Sequence, residues 1–120
     1  LKSDDILAVY TSEQEIQGLE PDFEALRRID ARGIIVTAPG SDYDFVSRFF
    51  APAVGVNEDP VTGSAHTKLI PYWADVLGKK HMQAAQLSPR GGALVCKMLD
   101  DDHVEIAGKA VTYMVGEIKL

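Results

Sequence analysis

The segment from Ser64 to Leu77 constrains the fold more than any other. It is apolar on nearly every side, with Ala65, Leu69, Tyr72 and Val76 in one row at helical spacing and Ile70, Trp73 and Leu77 in the next. A helix with so much apolar circumference must be covered by other elements, so the pattern predicts a buried helix at the centre of the molecule. Gly63 opens it and Gly78 ends it, as expected where a chain must enter and leave a helix at sharp angles. Pro71 lies inside, where its ring removes one backbone hydrogen bond, and a bend is expected there.

The flanking sequence supplies strands and two short helices. Ile6–Tyr10 reads as a strand, and Ser12 with Glu15 has the form of a capping box for a helix over Glu13–Gln17, stopped by Gly18. Pro21 suits the first turn of a second helix, Asp22–Ala31, with Phe23, Leu26 and Ile29 on its apolar face. Gly33–Thr37 is β-branched and reads as a buried strand, with Phe45–Phe50 the next. After the long helix come a weaker strand at Met82–Leu87, a stronger one at Ala93–Leu99, a polar turn at Asp100-Asp101-Asp102 and a strand at His103–Ile106. Lys109–Leu120 alternates through Val111, Tyr113 and Val115 and shifts its apolar side after Gly116 to Ile118 and Leu120, which predicts a final strand with a bulge. The sum, over 120 residues, is one α+β domain with a curled, mostly antiparallel sheet wrapped around one central hydrophobic helix.

Composition narrows the partners. A net charge of −6 argues against nucleic acid, whose binding needs clustered Lys and Arg. The single cysteine, Cys96, lies in the apolar run Leu94–Met98 and reads as a small core residue. Neither a secretory leader nor an apolar run long enough to cross a membrane is visible, so a cytoplasmic protein with no membrane contact is expected. His81 and His103 stand alone, and Asp100–Asp102 lacks the spacing of a calcium loop, so no metal is expected. The first residue is Leu1 rather than Met, which fits a start partway through something larger.

The chemistry concentrates where the loop Ala51–Gly63 feeds the long helix. The first turn of a helix carries unpaired N–H groups and a partial positive charge. Thr62 or Ser64 can serve as N-cap, yet no Glu or Gln stands three residues after either, and the next carboxylate along the helix is Asp75. A hydroxyl-lined start without acids of its own, opened by Gly63, suits a bound carboxylate. Glu58 and Asp59 just before it could bind a substrate hydroxyl or amine, orient a proton, or cap the turn. His66 is disfavoured as a cation by the helix dipole, which favours a neutral hydrogen-bonding role. A capped helix with ordinary loop acids accounts for the same residues on local grounds. Arg90, beside Gly91-Gly92, could clamp a carboxylate, hold the acidic loop or face water.

Longer strings of residues point further. Ser47-Arg48-Phe49-Phe50-Ala51-Pro52, Gly55–His66 with its Glu-Asp-Pro-Val-Thr-Gly-Ser-Ala-His string, Pro71-Tyr72-Trp73, Leu77-Gly78-Lys79, Gln86–Gly92 and Ile106–Val111 together resemble the phenazine biosynthesis PhzF-like family. The resemblance implies a diaminopimelate-epimerase-like fold, in which two similar α+β domains each wrap strands around a central helix and the active site lies where the two helix starts face each other. This chain resembles the C-terminal domain, with residues 1–10 as the strand near the junction and the N-terminal catalytic half absent. The resemblance further implies a proton-transfer isomerase needing no metal or organic cofactor. Asp59 is then the catalytic residue of this half, Gly63 and Ser64 match substrate-contacting positions, and Thr62 and His66 are further polar contacts to a small anionic metabolite. The partner is an N-terminal domain in cis or a second chain, including a homodimer. The alternative is a noncatalytic small-molecule-binding or protein-interaction domain descended from that fold.

Overall fold

The structure, a computed structural model, describes residues 5–120. The chain runs β1 (Asp5–Val9), α1 (Glu13–Gln17), α2 (Phe23–Arg27), β2 (Gly33–Pro39), β3 (Phe45–Ala51), a 3-10 turn (Pro52–Val54), β4 (Val56–Glu58), α3 (Gly63–Leu77), β5 (His81–Gln86), β6 (Gly92–Met98) and β7 (Val104–Ala107). Six strands lie in the order β1-β2-β3-β5-β6-β7, with β4 paired to β3 off this path. The β1–β2 and β3–β5 pairs are parallel, and the β2–β3, β3–β4, β5–β6 and β6–β7 pairs are antiparallel. The α+β class and the predominance of antiparallel pairing therefore stand, in a sheet that remains open at β1 and β7.

Both faces of β2 and β3 are covered, which explains their unbroken burial. On one face α3 packs through Ala65, Leu69, Ile70 and Trp73 against Ile35, Phe45, Phe49, Met82, Leu94 and Cys96. On the other, Ile16 of α1 and the α2 side chains Phe23 and Leu26 meet Ile34, Val36, Val46 and Phe50. A strand buried on both faces reads as a continuous apolar run, as β2 does. α3 covers one face of β5–β7, and on the other face Gln83 and Val95 are exposed while Ala85 of β5 joins the second core. The Cys96 thiol is buried and its pKa pushed up to about 11 by burial and, secondarily, by the charge of Asp44; it acts as a small apolar core group.

Most expected elements appear within a residue or two of their expected limits, and the differences have physical causes. The α1 capping box is present as expected, Ser12 accepting from the Glu15 N–H and Glu15 from the Ser12 N–H. Helix α2 is shorter than Asp22–Ala31: Asp22 is its N-cap, Pro21 precedes it, and the chain leaves the helix after Arg27 to reach β2, with Ile29 exposed. Helix α3 begins at Gly63 and ends at Gly78 in the left-handed region. Its burial is narrower than the sequence pattern suggests, since Thr67, Asp75, Val76 and Leu77 are exposed. Pro71 withdraws a bond from the carbonyl of Thr67, an exposed position where water can replace it. The expected strand over Lys109–Leu120 does not form: the ladder stops at Ala107 and the residues beyond it lie outside any helix or strand. Alternation suits a strand, but every hydrogen bond of a strand goes to a neighbour, and this segment has no neighbouring strand among the described residues. Of the N-terminal strand expected over residues 1–10, Asp5–Val9 is present and Leu1–Asp4 lie outside the described residues.

One ion pair ties the layers together. Arg48, in the middle of apolar β3, donates to both carboxylate oxygens of Glu58 at 2.8 and 3.0 Å and to the carbonyls of Ile16 and Leu19 at 3.1 and 2.9 Å, its guanidinium 4.9 Å from the Phe50 ring. It joins β3 to β4 and to the end of α1. Removing one partner of a buried pair leaves an uncompensated charge. Arg48→Ala should therefore lose roughly 3 kcal/mol of unfolding free energy, measured by urea denaturation. Arg48→Ala with Glu58→Ala should be the more stable of the two variants; a double variant weaker than the single one would show that the charge is not the reason.

Candidate functional site

The loop from Glu58 to Thr62 carries the start of α3 and is fastened to the end of β5. The Gln86 side chain is only 1% exposed and meets the loop three times. Its Oε1 accepts from the Thr62 N–H at 2.8 Å, and its Nε2 donates to the Asp59 carbonyl at 2.7 Å and to Thr62 Oγ1 at 3.1 Å. Ser88 Oγ donates to the Pro60 carbonyl at 2.8 Å and accepts from the Gly91 N–H at 3.0 Å. Gly92 lies so close to the loop that a Cβ there would fall 2.3 Å from Val61 Cγ2. The Gln86–Gly92 stretch is thus a buttress for the helix start. The 3-10 turn and β4, both within sequence expected as loop, complete the approach, and Asp59 N–H donates to the Phe49 carbonyl at 3.0 Å.

The helix start itself is open. Thr62 is the N-cap, but its hydroxyl donates to Asp59 Oδ2 rather than accepting from the helix, so no side chain among the described residues caps the first turn. The first turn holds no acid. Gly63 and Ser64 are exposed, and a Cβ on Gly63 would meet nothing within 4 Å. These amides are available to an outside acceptor.

Two cations stand beside them. Arg32 is paired with Asp5, donates to Ser64 Oγ at 3.1 Å and lies 5.7 Å from the Phe49 ring centroid. Lys68 Nζ donates to the Asp5 carbonyl at 3.1 Å and lies 4.0 Å from its carboxylate. Among the described residues the carboxylate of Asp5 and, at the N-cap, that of Asp59 stand near these two cations and the positive end of the helix dipole. Because Ser64 Oγ accepts from Arg32, its own proton can be given outward.

The residues expected to act together divide into three groups. Asp59, Thr62, Gly63 and Ser64 do meet at one helix start. Glu58 is held by Arg48 and serves the fold. His66 turns inward: it is 0% exposed, its Nδ1 lies 2.8 Å from the Thr62 carbonyl, and its ring is 6.0 Å from that of Phe45. The carbonyl can only accept, so Nδ1 carries the proton and Nε2, which has no partner among the described residues, is a bare acceptor. Burial lowers the His66 pKa, and the Thr62 carbonyl opposes this in part. Arg90 lies exposed near Gly91, outside this group, and His103 pairs with Asp100 on the surface. Gln86, Ser88, Arg32 and Arg48 were not singled out as site residues. Arg48 carries the clearest signal, a lone cation in an otherwise buried apolar run. Among the described residues no group of three or more His, Cys, Asp or Glu is placed to hold a metal ion, and no helix is long and apolar enough to cross a membrane.

The family profile described as phenazine biosynthesis-like protein (PhzC-PhzF) matches residues 2–116. The chain belongs to this phenazine biosynthesis-like family. It is similar to an uncharacterized isomerase of Pseudomonas aeruginosa, at 54% identity over 98% of this chain and 45% of that protein. It is also similar to a mouse phenazine biosynthesis-like domain-containing protein, at 46% identity over 86% of this chain and 39% of that one. Among solved structures it resembles a PhzC/PhzF protein of Clostridium difficile, with a TM-score of 0.88 and 51% identity, over 99% of this chain and 46% of that one. A Bacillus anthracis PhzF-family protein at 18% identity shares the fold, with a TM-score of 0.61. The chain spans less than half of the length of these relatives.

The His66 pKa gives a prediction with a definite sign. A histidine whose folded pKa lies below its usual value near 6.5 is protonated first in the unfolded chain. Its neutral form supports folding fully above that value, and stability falls as pH drops below it until the folded pKa is reached. The unfolding free energy should therefore decline as the pH falls below about 6.5, with a slope of at most about 1.4 kcal/mol per pH unit. His66→Gln should flatten that slope in denaturant titrations; an unchanged slope would place the titrating group elsewhere.

Proposed function

We propose that this chain is the substrate-binding half of a cofactor-independent isomerase that moves a proton on a small carboxylate-bearing metabolite. The observation that supports the reading best is the uncapped, acid-free start of α3, open at Gly63 and Ser64 and flanked by Arg32 and Lys68. A carboxylate seated there accepts from the Gly63 and Ser64 amides and from the Ser64 hydroxyl. Asp59 lies at the same helix start, with Oδ2 held by Thr62 and no partner on its other oxygen among the described residues. That oxygen is available to take or return a proton at a carbon near the bound carboxylate.

His66 supports the site from behind, its ring holding the Thr62 carbonyl. The second half of the reaction site belongs to a region outside this chain, in keeping with relatives more than twice its length. In the whole protein we envisage a diaminopimelate-epimerase-like pair of halves, with the exposed side of α3 covered and an opposing acid-base group across the cleft. Isomerase-named relatives favour this over a noncatalytic binding domain. Nothing in the site is specific to a phenazine precursor, and the carboxylate alone defines the substrate class.

Gly63→Asp tests the reading. An acid in the first turn satisfies the dipole from within, and a Cβ at Gly63 meets open space. The variant should unfold at a higher temperature than the natural chain, by the equivalent of about 0.3–1 kcal/mol. Small mono- and dicarboxylates should raise the midpoint of the natural chain in a concentration-dependent way and leave the variant unmoved, because only a ligand of the native state stabilises it. If no carboxylate stabilises the natural chain, or if both proteins respond equally, the anion does not bind at this helix start.

A further inference from the structure

The hydrogen bonding of the core leaves two buried polar atoms over. The Ser47 hydroxyl, on a residue only 2% exposed, and Nε2 of the fully buried His66 have no partner among the described residues. A polar group buried in a folded protein almost always has one, because leaving it unmet costs the full loss of its hydration.

The fold brings the two together. Side chains alternate along a strand, and residues opposite one another in a ladder share a face. Ser47 therefore lies on the α3 side of β3, between Phe45 and Phe49, flanked by Thr37 of β2 and Gln86 of β5. His66 reaches this place from α3: its ring packs against Phe45, and through Thr62 it is joined to the Gln86 side chain. A serine between two phenylalanines does not fill the space that a third large side chain would take.

Their chemistry is complementary. With its Nδ1 proton given to the Thr62 carbonyl, His66 can only accept at Nε2, whereas the Ser47 hydroxyl has a proton to give. The two make no direct bond, and water is the usual bridge for a polar pair set slightly too far apart. One water accepting from Ser47 Oγ and donating to His66 Nε2 satisfies both. Its second proton has an acceptor on either flank: Thr37 Oγ1 accepts from Trp73 Nε1, Gln86 Oε1 accepts from the Thr62 N–H, and each keeps a second lone pair. About three partners is the ordinary complement of a buried water.

We infer that Ser47 and His66 build a binding site for one internal water, which completes a polar chain from the middle of β3 through His66 to the Thr62 carbonyl at the start of α3. Ser47 is thereby a positioning residue for that helix start, acting from the sheet as Gln86 does. Every side chain of the site is buried within this chain, and the inference holds whether or not a carboxylate binds outside it.

The sign of the Ser47→Ala effect decides the matter. Removing a hydroxyl that has no partner relieves an unmet polar group and leaves a protein at least as stable. Removing one that holds a bridging water should instead raise the unfolding equilibrium constant about tenfold, read by urea titration. A high-resolution crystal structure of the natural chain should show one ordered water bonded to both Ser47 Oγ and His66 Nε2. The nitrogen-15 resonance of His66 Nε2 should lie upfield of a free acceptor nitrogen at neutral pH and move downfield in Ser47→Ala. A variant as stable as the natural chain, a resonance that does not move, or electron density with no water between the two side chains overturns the inference.

Discussion

The buried carboxamide of Gln86 is the constraint on which the rest of the site depends. A polar side chain taken out of water costs free energy unless its donors and acceptor are met. Here Oε1 and Nε2 are satisfied by one short loop, through Thr62 and Asp59. Because β5 is fixed between β3 and β6, the amide transfers the rigidity of the sheet to the point where α3 begins. Thr62 can then spend its hydroxyl on Asp59 instead of the helix, and the first turn is left open. The Ser88 hydroxyl and the Gly92–Val61 contact act in the same direction, so the whole Gln86–Gly92 segment reads as a mould for the loop opposite it.

The electrostatics follow from that placement. The chain is acidic overall, yet the open helix start faces Arg32 and Lys68, and the carboxylate that partly balances them, Asp5, comes from the edge strand β1. The acidic residues closest in sequence are both engaged, Glu58 by Arg48 and Asp59 by Thr62. Neither is thereby removed from consideration in the same way: both oxygens of Glu58 are taken, whereas Asp59 keeps one. Two adjacent acids in sequence thus become a structural ion pair and a candidate proton carrier.

Much of the fold was legible because its signals are local. The Ser12–Glu15 capping box, the Gly63–Gly78 limits of α3 and the apolar runs of β2 and β3 each depend on residues a few positions apart. The failures share one cause. Lys109–Leu120 has the alternation of a strand but no described neighbour to bond, and α2 stops early because the chain must turn toward β2. The narrower burial of α3 is the same lesson, since an apolar circumference states what could be covered, and only the positions of the strands decide what is.

The sequence by itself determined the family, the α+β class, and the gathering of Asp59, Thr62, Gly63 and Ser64 at one helix start, because those residues are contiguous and a helix start has the same electrostatics in any fold. Only the tertiary structure decided that His66 faces the core, that Glu58 belongs to Arg48, and that Gln86, Arg32 and Lys68 converge on the site. Those contacts join residues 10 to 63 positions apart in the chain. Burial and pairing at such separations depend on how strands and helices stack, a property of the whole packed chain that no local spacing carries.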